Sequence, residues 1–253
     1  MMLLLFTAVD GQDIRLDGEI APEIFNLLKL TELEIFFAVD VGARNPNKGT
    51  LAGLIPDTIN RSNTIRLIDL GNQKITGPIP DELYDTLSLR EIDLDGNLLT
   101  GNITSAVKNL QNLVFFSASD NNFDEQNLTP AFGEIDSLKF LSLNDANLVG
   151  PVPTSFKDLT QMTAIDLSNN QMTGGIDFTK DYTKIRSLAL ANNEFSGNLD
   201  ELWSKTSLQF IVLGDNQFSG TISTDVGNMV NLKSKCSYSY RPMLSDVRSS
   251  NSF

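Results

Sequence analysis

The sequence contains no histidine and only one cysteine, Cys236, among its 253 residues. Histidine is the most frequent general base in enzymes and the most frequent metal ligand, so its absence disfavours both kinds of site. A single cysteine excludes an intrachain disulfide and a zinc site built from several thiolates. No stretch approaches the ~20 consecutive apolar residues that a membrane-spanning helix needs. Composition therefore predicts a protein that is not an enzyme, holds no cofactor or metal, and does not insert directly into a membrane.

Positive charge is also scarce, because the formal net charge is −13. Residues 233–253 carry four basic side chains and one acid, a net charge of +3, which leaves −16 on the rest of the chain. A body this acidic repels phosphate backbones and anionic lipids. The charge therefore disfavours nucleic acids and membrane surfaces as partners.

The chain begins with the apolar stretch MMLLLFTAVDG. This stretch lacks the basic residues and the small-residue cleavage site of a secretory signal peptide. We expect either a first β-strand or an effect of where the chain has been cut.

One spacing of aliphatic residues recurs along most of the chain. The stretch LREIDLDGNLLTGNI alternates acids with aliphatics and then runs into Asn, Gly and a second aliphatic pair. Seven segments share the frame aliphatic-x-x-aliphatic-x-aliphatic-x-x-Asn-x-apolar-x-Gly-x-aliphatic, with small departures, and they begin at Ile65, Leu89, Leu113, Leu138, Met162, Ile185 and Leu208. Successive starts are 24, 24, 25, 24, 23 and 23 residues apart. A fixed period of about 20–29 residues with this spacing is typical of a stacked solenoid.

Two incomplete units precede these seven, one of them interrupted by an insertion near 39–49. The predicted domain organisation is thus a repeat domain over 1–232, with about nine repeats of roughly 24 residues, followed by a basic tail over 233–253 that does not repeat and is expected to be poorly ordered. Both ends of the repeat domain lack an evident polar cap, which makes self-association through the terminal coils possible.

Each position of the frame has a physical role. The aliphatics of each short strand stack on the same positions one repeat away, and a third apolar column, which includes Trp203 and Val226, fills the far side of the core. The amides of Asn97, Asn121, Asn170, Asn193 and Asn216 are expected to bond free backbone groups of their own and the adjacent coil, which forms a ladder. The glycine of each repeat permits a tight backbone turn.

The segments QKITGPIPDEL, NLLTGNI and ANLVGPVPTSF resemble the plant-type subclass of the leucine-rich repeat family, whose units read Leu-x-Gly-x-Ile-Pro. The chain departs from that pattern at Gln73 and Ala146 in the Asn position and at Glu125 in the Gly position, and it lacks paired capping cysteines. The resemblance implies an α/β-type solenoid, a curved horseshoe with a parallel β-sheet on its concave face and an irregular or 3-10 convex side. It also implies a non-enzymatic recognition module that binds a protein or peptide, as a receptor ectodomain or a secreted inhibitor does, outside the cell or at its surface.

Alternation with period two places every second strand residue on the face opposite to the core. This predicted concave face is acidic in the N-terminal half of the chain, aromatic and hydroxyl-bearing in the middle, and small and apolar beyond. The residues predicted to bind the ligand are Glu34, Asp69, Glu91, Asp93, Asp95, Phe115, Ser117, Phe140, Ser142, Asn144 and Asp166. The carboxylates should attract a basic segment of the partner, and Phe115 and Phe140 are expected to be exposed aromatic anchors. The alternative is a solvated acidic sheet with no partner.

Other features leave further alternatives open. The hydroxyl column Thr76, Thr100 and Thr173, with the Asn column, is compatible with binding of carbohydrate or ice, although a turn on the back face explains it more simply. The chain could also be a structural fragment of a longer receptor. Asn60, Asn102 and Asn127 each begin an Asn-x-Ser/Thr sequon and are candidate N-glycosylation sites.

Overall fold

We analysed a computed structural model of the chain, which describes residues 2–5, 18–20, 22, 30–34 and 51–233. The predicted insertion near 39–49 lies outside the described residues, as does the tail beyond Lys233. The described residues form a solenoid of parallel strands in repeated coils.

The largest element is a parallel sheet of nine strands that follow one another in chain order, one from each coil. Its strands are Met2–Leu5 (β1), Leu30–Glu34 (β3), Leu67–Asp69 (β5), Glu91–Asp93 (β7), Phe115–Ser117 (β9), Phe140–Ser142 (β11), Ala164–Asp166 (β13), Ser187–Ala189 (β15) and Phe210–Val212 (β17). Equivalent residues of successive repeats pair directly, as in Asp69 with Asp93 and Phe115 with Phe140. The prediction of a first strand in the N-terminal apolar stretch agrees with the pairing of β1 with β3.

Two smaller parallel sheets run behind the main one, where we expected only turns. One contains Gly18–Glu19, Leu51–Gly53, Lys74–Gly77 and Leu98–Leu99 (β2, β4, β6 and β8). The other contains Gln126–Asn127, Leu148–Pro151, Gln171–Gly174, Glu194–Gly197 and Gln217–Phe218 (β10, β12, β14, β16 and β18). The interpretation of the Thr-Gly positions as turns alone was incomplete, because Thr76 and Thr173 lie within these strands. The segments are only two to four residues long, too short for alternation to be visible in the sequence.

Short helical turns complete the convex side, as the resemblance implied. The 3-10 helices are Asp57–Arg61, Ser105–Asn109, Pro130–Glu134, Thr154–Asp158, Asp177–Thr179, Asp200–Leu202 and Thr224–Asn228, and Asp81–Tyr84 is a single α-helical turn. Such connections are compact enough for a coil of 23 to 25 residues to return to the next strand.

The core lies between the main sheet and the helical turns as one continuous cluster. Ile68, Leu70, Ile92 and Leu94 are inaccessible or nearly so, as predicted for the strand aliphatics. The third apolar column of the core is buried from Ile59 to Phe156, but its burial does not continue to the end of the repeats as we expected. Trp203 is only partly buried, because the neighbouring Leu202 takes the inward position, and Val226 in the last described coil is 37% exposed.

The asparagine ladder has the predicted hydrogen bonds. The Asn97 amide donates to the carbonyls of Leu70 and Leu94, at 2.9 and 3.0 Å, and its Oδ1 accepts the N–H of Ile75 at 3.1 Å. Asn121, Asn170, Asn193 and Asn216 repeat this arrangement. Because each amide joins two adjacent coils, the ladder fixes their register.

Candidate functional site

The candidate site is the surface of the main sheet that faces away from the core, here called the concave face. Direct pairing brings residues separated by about one repeat side by side, so that Glu91, Phe115, Phe140 and Ala164 form one row across four strands. Asp69, Asp93, Ser117, Ser142 and Asp166 form the next row. The structure therefore brings these predicted ligand-binding residues together, and Glu34 joins them through the backbone pairing of Glu34 with Asp69.

The two phenylalanines differ from the prediction in exposure. Phe115 and Phe140 lie on the concave face and form a small cluster with Ala164, separate from the main core. Their rings are stacked, with centroids 4.3 Å apart and an interplanar angle of 14°. Each residue is only 2% exposed, so the prediction of exposed anchors was wrong. Stacking between adjacent strands hides the ring faces from solvent, an effect of register that a single strand does not reveal.

The strand carboxylates have a local structural role that we did not predict. One Oδ1 of Asp69, Asp93 and Asp166 accepts the backbone N–H two residues later, from Gly71, Asp95 and Ser168, at 3.1, 3.1 and 2.9 Å. An aspartate that bonds the backbone two residues ahead stabilises a turn, here at the end of the strand. Part of the acidic pattern thus serves the fold. The signal that could have revealed it is that Asp69, Asp93 and Asp166 share one position of the repeat frame, directly before an inward leucine.

Asp95 is the most strongly engaged carboxylate of the face. Its Oδ1 accepts the hydroxyl of Ser117 and the N–H of Ser119, both at 2.6 Å. Burial raises the pKa of the Asp95 carboxyl to about 6, a rise that these hydrogen bonds oppose and the nearby Asp120 reinforces. The charge on this part of the concave face therefore changes within the mildly acidic range.

Hydrogen bonds continue from Asp95 across the face toward later repeats. The hydroxyls of Ser119 and Ser142 are 2.8 Å apart, and Ser119 Oγ also accepts the N–H of Asn144 at 3.2 Å. Asn144 Oδ1 accepts from Asn169, whose own Oδ1 accepts from Asn192, each at 2.6 Å. The predicted residues Ser142 and Asn144 are thus members of a lateral polar network, which makes the middle of the face rigid.

Sequence reasoning missed a row of basic residues at the edge of the concave face. Arg66, Arg90, Lys139 and Arg186 each occupy the position just before a strand, and the three arginines are exposed. Their signal is present in the repeat frame, because each follows the first aliphatic residue of a repeat. The face is therefore acidic along its strands and basic along one edge.

The remaining candidates lie elsewhere. The Thr76 hydroxyl donates to the Gly53 carbonyl at 3.1 Å, which links adjacent coils of the back sheet. Asn60, Asn102 and Asn127 are all exposed, as glycosylation would require, and modification there stays a prediction. Within the described residues, no group of three or more potential metal ligands is present, and no helix has the length and apolar character to cross a membrane.

Comparison with known proteins places this geometry in a family. A family model described as Leucine Rich Repeat matches residues 88–110. Receptor-like protein 41 of Arabidopsis thaliana is 37% identical over 60 residues, which is 24% of this chain and 7% of that protein. The repeats of this chain are similar to plant-type leucine-rich repeats.

Solved leucine-rich repeat structures share the fold. The plant peptide hormone receptor RGFR1 in complex with RGF2 is 26% identical, with a TM-score of 0.74, over 86% of this chain and 33% of that one. The Arabidopsis receptor kinase HAESA, in complex with the peptide hormone IDA and the co-receptor SERK1, is 25% identical, with a TM-score of 0.76, over 87% of this chain and 35% of that one. This chain therefore spans about a third of the receptor structures that it matches, and less than a tenth of the curated relative.

Proposed function

We propose that this leucine-rich repeat protein binds a peptide or protein ligand across its concave face and acts by recognition rather than by catalysis. The observation that carries the proposal is the row of carboxylates on β5 and β7, with Asp95 two residues beyond the end of β7, on one continuous face. Support comes from the similar solved structures, in which leucine-rich repeat receptors hold peptide hormones.

The charge pattern indicates the chemistry of the partner. Glu91 and Asp93 are half-buried at the surface of the sheet, in register with Leu67 and Asp69. A lysine or arginine side chain of an extended partner segment would lie over these carboxylates. Carboxylates on a partly desolvated surface attract such groups more strongly than fully solvated ones do. The exposed Arg66 and Arg90 at the edge favour a partner whose basic segment is flanked by an acidic group.

Glu91 offers the sharpest test, because it is a half-exposed carboxylate on the concave face, in register with Phe115. Peptides selected from a random library on the immobilised chain are expected to be rich in lysine and arginine. Their affinity should fall by about tenfold in Glu91→Lys, since one attractive contact becomes repulsive, and it should weaken as salt is raised.

The matched control is Asp158→Lys, which makes the same change of net charge at an exposed residue of the convex side. Isothermal titration calorimetry on both variants separates a local contact from a general effect of charge. Equal affinity of the selected peptides for the two variants would contradict the proposed site.

A further inference from the structure

An open groove of about 400 Å³ lies beside the concave face, where the chain leaves the main sheet for the back sheet. Carboxamides dominate its lining, together with the carboxylate of Asp145 and the ring of Phe123, and the amides belong to Asn121, Asn122, Asn147, Asn169, Asn170 and Gln171. No lysine or arginine lines it. The groove belongs to neither the predicted ligand-binding residues nor the hydroxyl column.

The groove lies where the asparagine ladder is interrupted. In each intact step, the Oδ1 of a ladder asparagine accepts a backbone N–H from the preceding coil, two residues after that coil's own ladder asparagine. Asn121 accepts the N–H of Leu99, two residues after Asn97, at 3.0 Å, and Asn193 accepts the N–H of Met172, two residues after Asn170, at 2.9 Å. By the same rule, an asparagine at position 146 would accept the N–H of Phe123. Ala146 has no amide, and no side chain among the described residues reaches that N–H in its place.

The backbone around the gap is rearranged accordingly. Asn147 has a φ of 54°, a left-handed conformation that the residue after the ladder position does not adopt in the other described repeats. The Asn147 amide donates to the Phe123 carbonyl at 3.2 Å, and the N–H of Ala146 donates to Asn170 Oδ1 at 3.1 Å. Asparagine tolerates this conformation better than most residues, so the sequence fits the rearrangement. Asn122, Asp145 and Asn169 are left exposed around the groove.

We propose that this groove is a binding site for a neutral, polyhydroxylated ligand, a saccharide unit. The exposed amides of Asn122 and Gln171 supply both donors and acceptors, and the Asp145 carboxylate supplies a strong acceptor, which together match neighbouring hydroxyl groups. The Phe123 N–H adds a donor at the gap. A lining without cations and with one carboxylate disfavours phosphate and other anions, and the volume lies within the ordinary range of small-ligand sites.

The test uses glucose, mannose, galactose, xylose and cellobiose as probes, each titrated into the full chain and followed by saturation-transfer difference NMR and calorimetry. At least one probe is expected to bind in the millimolar range. Ala146→Asn restores the missing ladder amide and fills the gap, and it should weaken that binding by about tenfold or more while the melting temperature does not fall.

Asn122→Ala provides a second variant, because this exposed side chain has no role in the ladder and its removal does not disturb the backbone. It should weaken binding by about tenfold as well, whereas Asn112→Ala, the same substitution at an exposed asparagine outside the groove, should leave binding unchanged. The proposal is overturned if no probe binds the unmodified chain, or if the affinity is the same in Asn122→Ala and Asn112→Ala.

Discussion

At the scale of single residues, the acidic side chains of the concave face stabilise strand ends and give the face its negative charge. Asp69, Asp93 and Asp166 hold backbone N–H groups at strand ends, and they also contribute negative charge to the face together with Glu91. Asp95 is the extreme case, because it is desolvated between Ser117 and Ser119 and its pKa rises to about 6. A raised pKa means that the folded state holds its proton more tightly than the unfolded chain does.

The first stability prediction concerns Asp95→Asn. The Ser117 hydroxyl and the Ser119 N–H both donate to Asp95 Oδ1, so an asparagine oxygen can accept them while its amide replaces Oδ2. Above pH ~6 the buried Asp95 carboxylate is ionised and lowers the free energy of unfolding, whereas below pH ~4 it is protonated in both the folded and the unfolded state and has no such effect. The free energy of unfolding should therefore fall as pH rises through this window. Asp95→Asn should therefore raise stability at pH 7 by about 2 kcal/mol.

Urea denaturation of both proteins at several pH values between acid and neutral measures this difference. The gain from Asp95→Asn should shrink as the pH is lowered. A gain that did not depend on pH would show that burial of the charge is not its cause.

At the scale of structural elements, the asparagine ladder and the strand register act together. Asn170 donates to the carbonyls of Leu143 and Leu167 at 2.8 and 3.0 Å and accepts the N–H of Leu148 at 2.9 Å. Each ladder residue thus fixes its own turn and holds the preceding coil. Where the ladder is interrupted, at Ala146, the backbone changes and the amide-lined groove results.

Removal of a ladder amide should consequently cost more than removal of an exposed one. Asn170→Ala leaves several buried backbone groups without partners and should lower the free energy of unfolding by about 3 kcal/mol. Asn112→Ala loses one exposed bond to the Leu87 carbonyl and should cost less than about 1 kcal/mol. Chemical denaturation of the two variants checks the difference, and equal losses would contradict a special role for the ladder.

At the scale of the whole molecule, the last described coil differs in exposure from the coils before it. The coils between Ile55 and Leu208 bury most of their aliphatics, Leu87 excepted, whereas Ile222, Val226, Val230 and Leu232 of the last described coil are between 37% and 82% exposed. Exposed aliphatics on the end of a solenoid favour contact with another apolar surface.

We therefore expect the chain to self-associate through this last coil. Val230→Lys combined with Ile222→Lys should shift the protein toward monomer, because two charges would have to be buried in the contact. Light scattering coupled to size-exclusion chromatography measures the change across a range of protein concentrations. Leu54→Lys, at a similarly exposed aliphatic of an earlier coil, is the control and should not alter the mass.

The repeat frame alone was sufficient to predict the solenoid, the inward aliphatics and the asparagine ladder. These depend on spacing along the chain, because each coil meets only its neighbours and one period describes them all. The predicted domain organisation and the predicted ligand-binding residues stay predictions.

Only the tertiary structure decided how exposed the concave residues are and what their hydrogen bonds do. Phe115 and Phe140 lie 25 residues apart in sequence, and their burial depends on a ring separation of 4.3 Å that a strand pattern does not specify. The raised pKa of Asp95 and the groove around Ala146 likewise arise where side chains of one coil meet groups of another coil. Spacing in the sequence determines which residues become neighbours, whereas the distances between coils and their access to solvent determine the burial, hydrogen bonds and pKa of those neighbours.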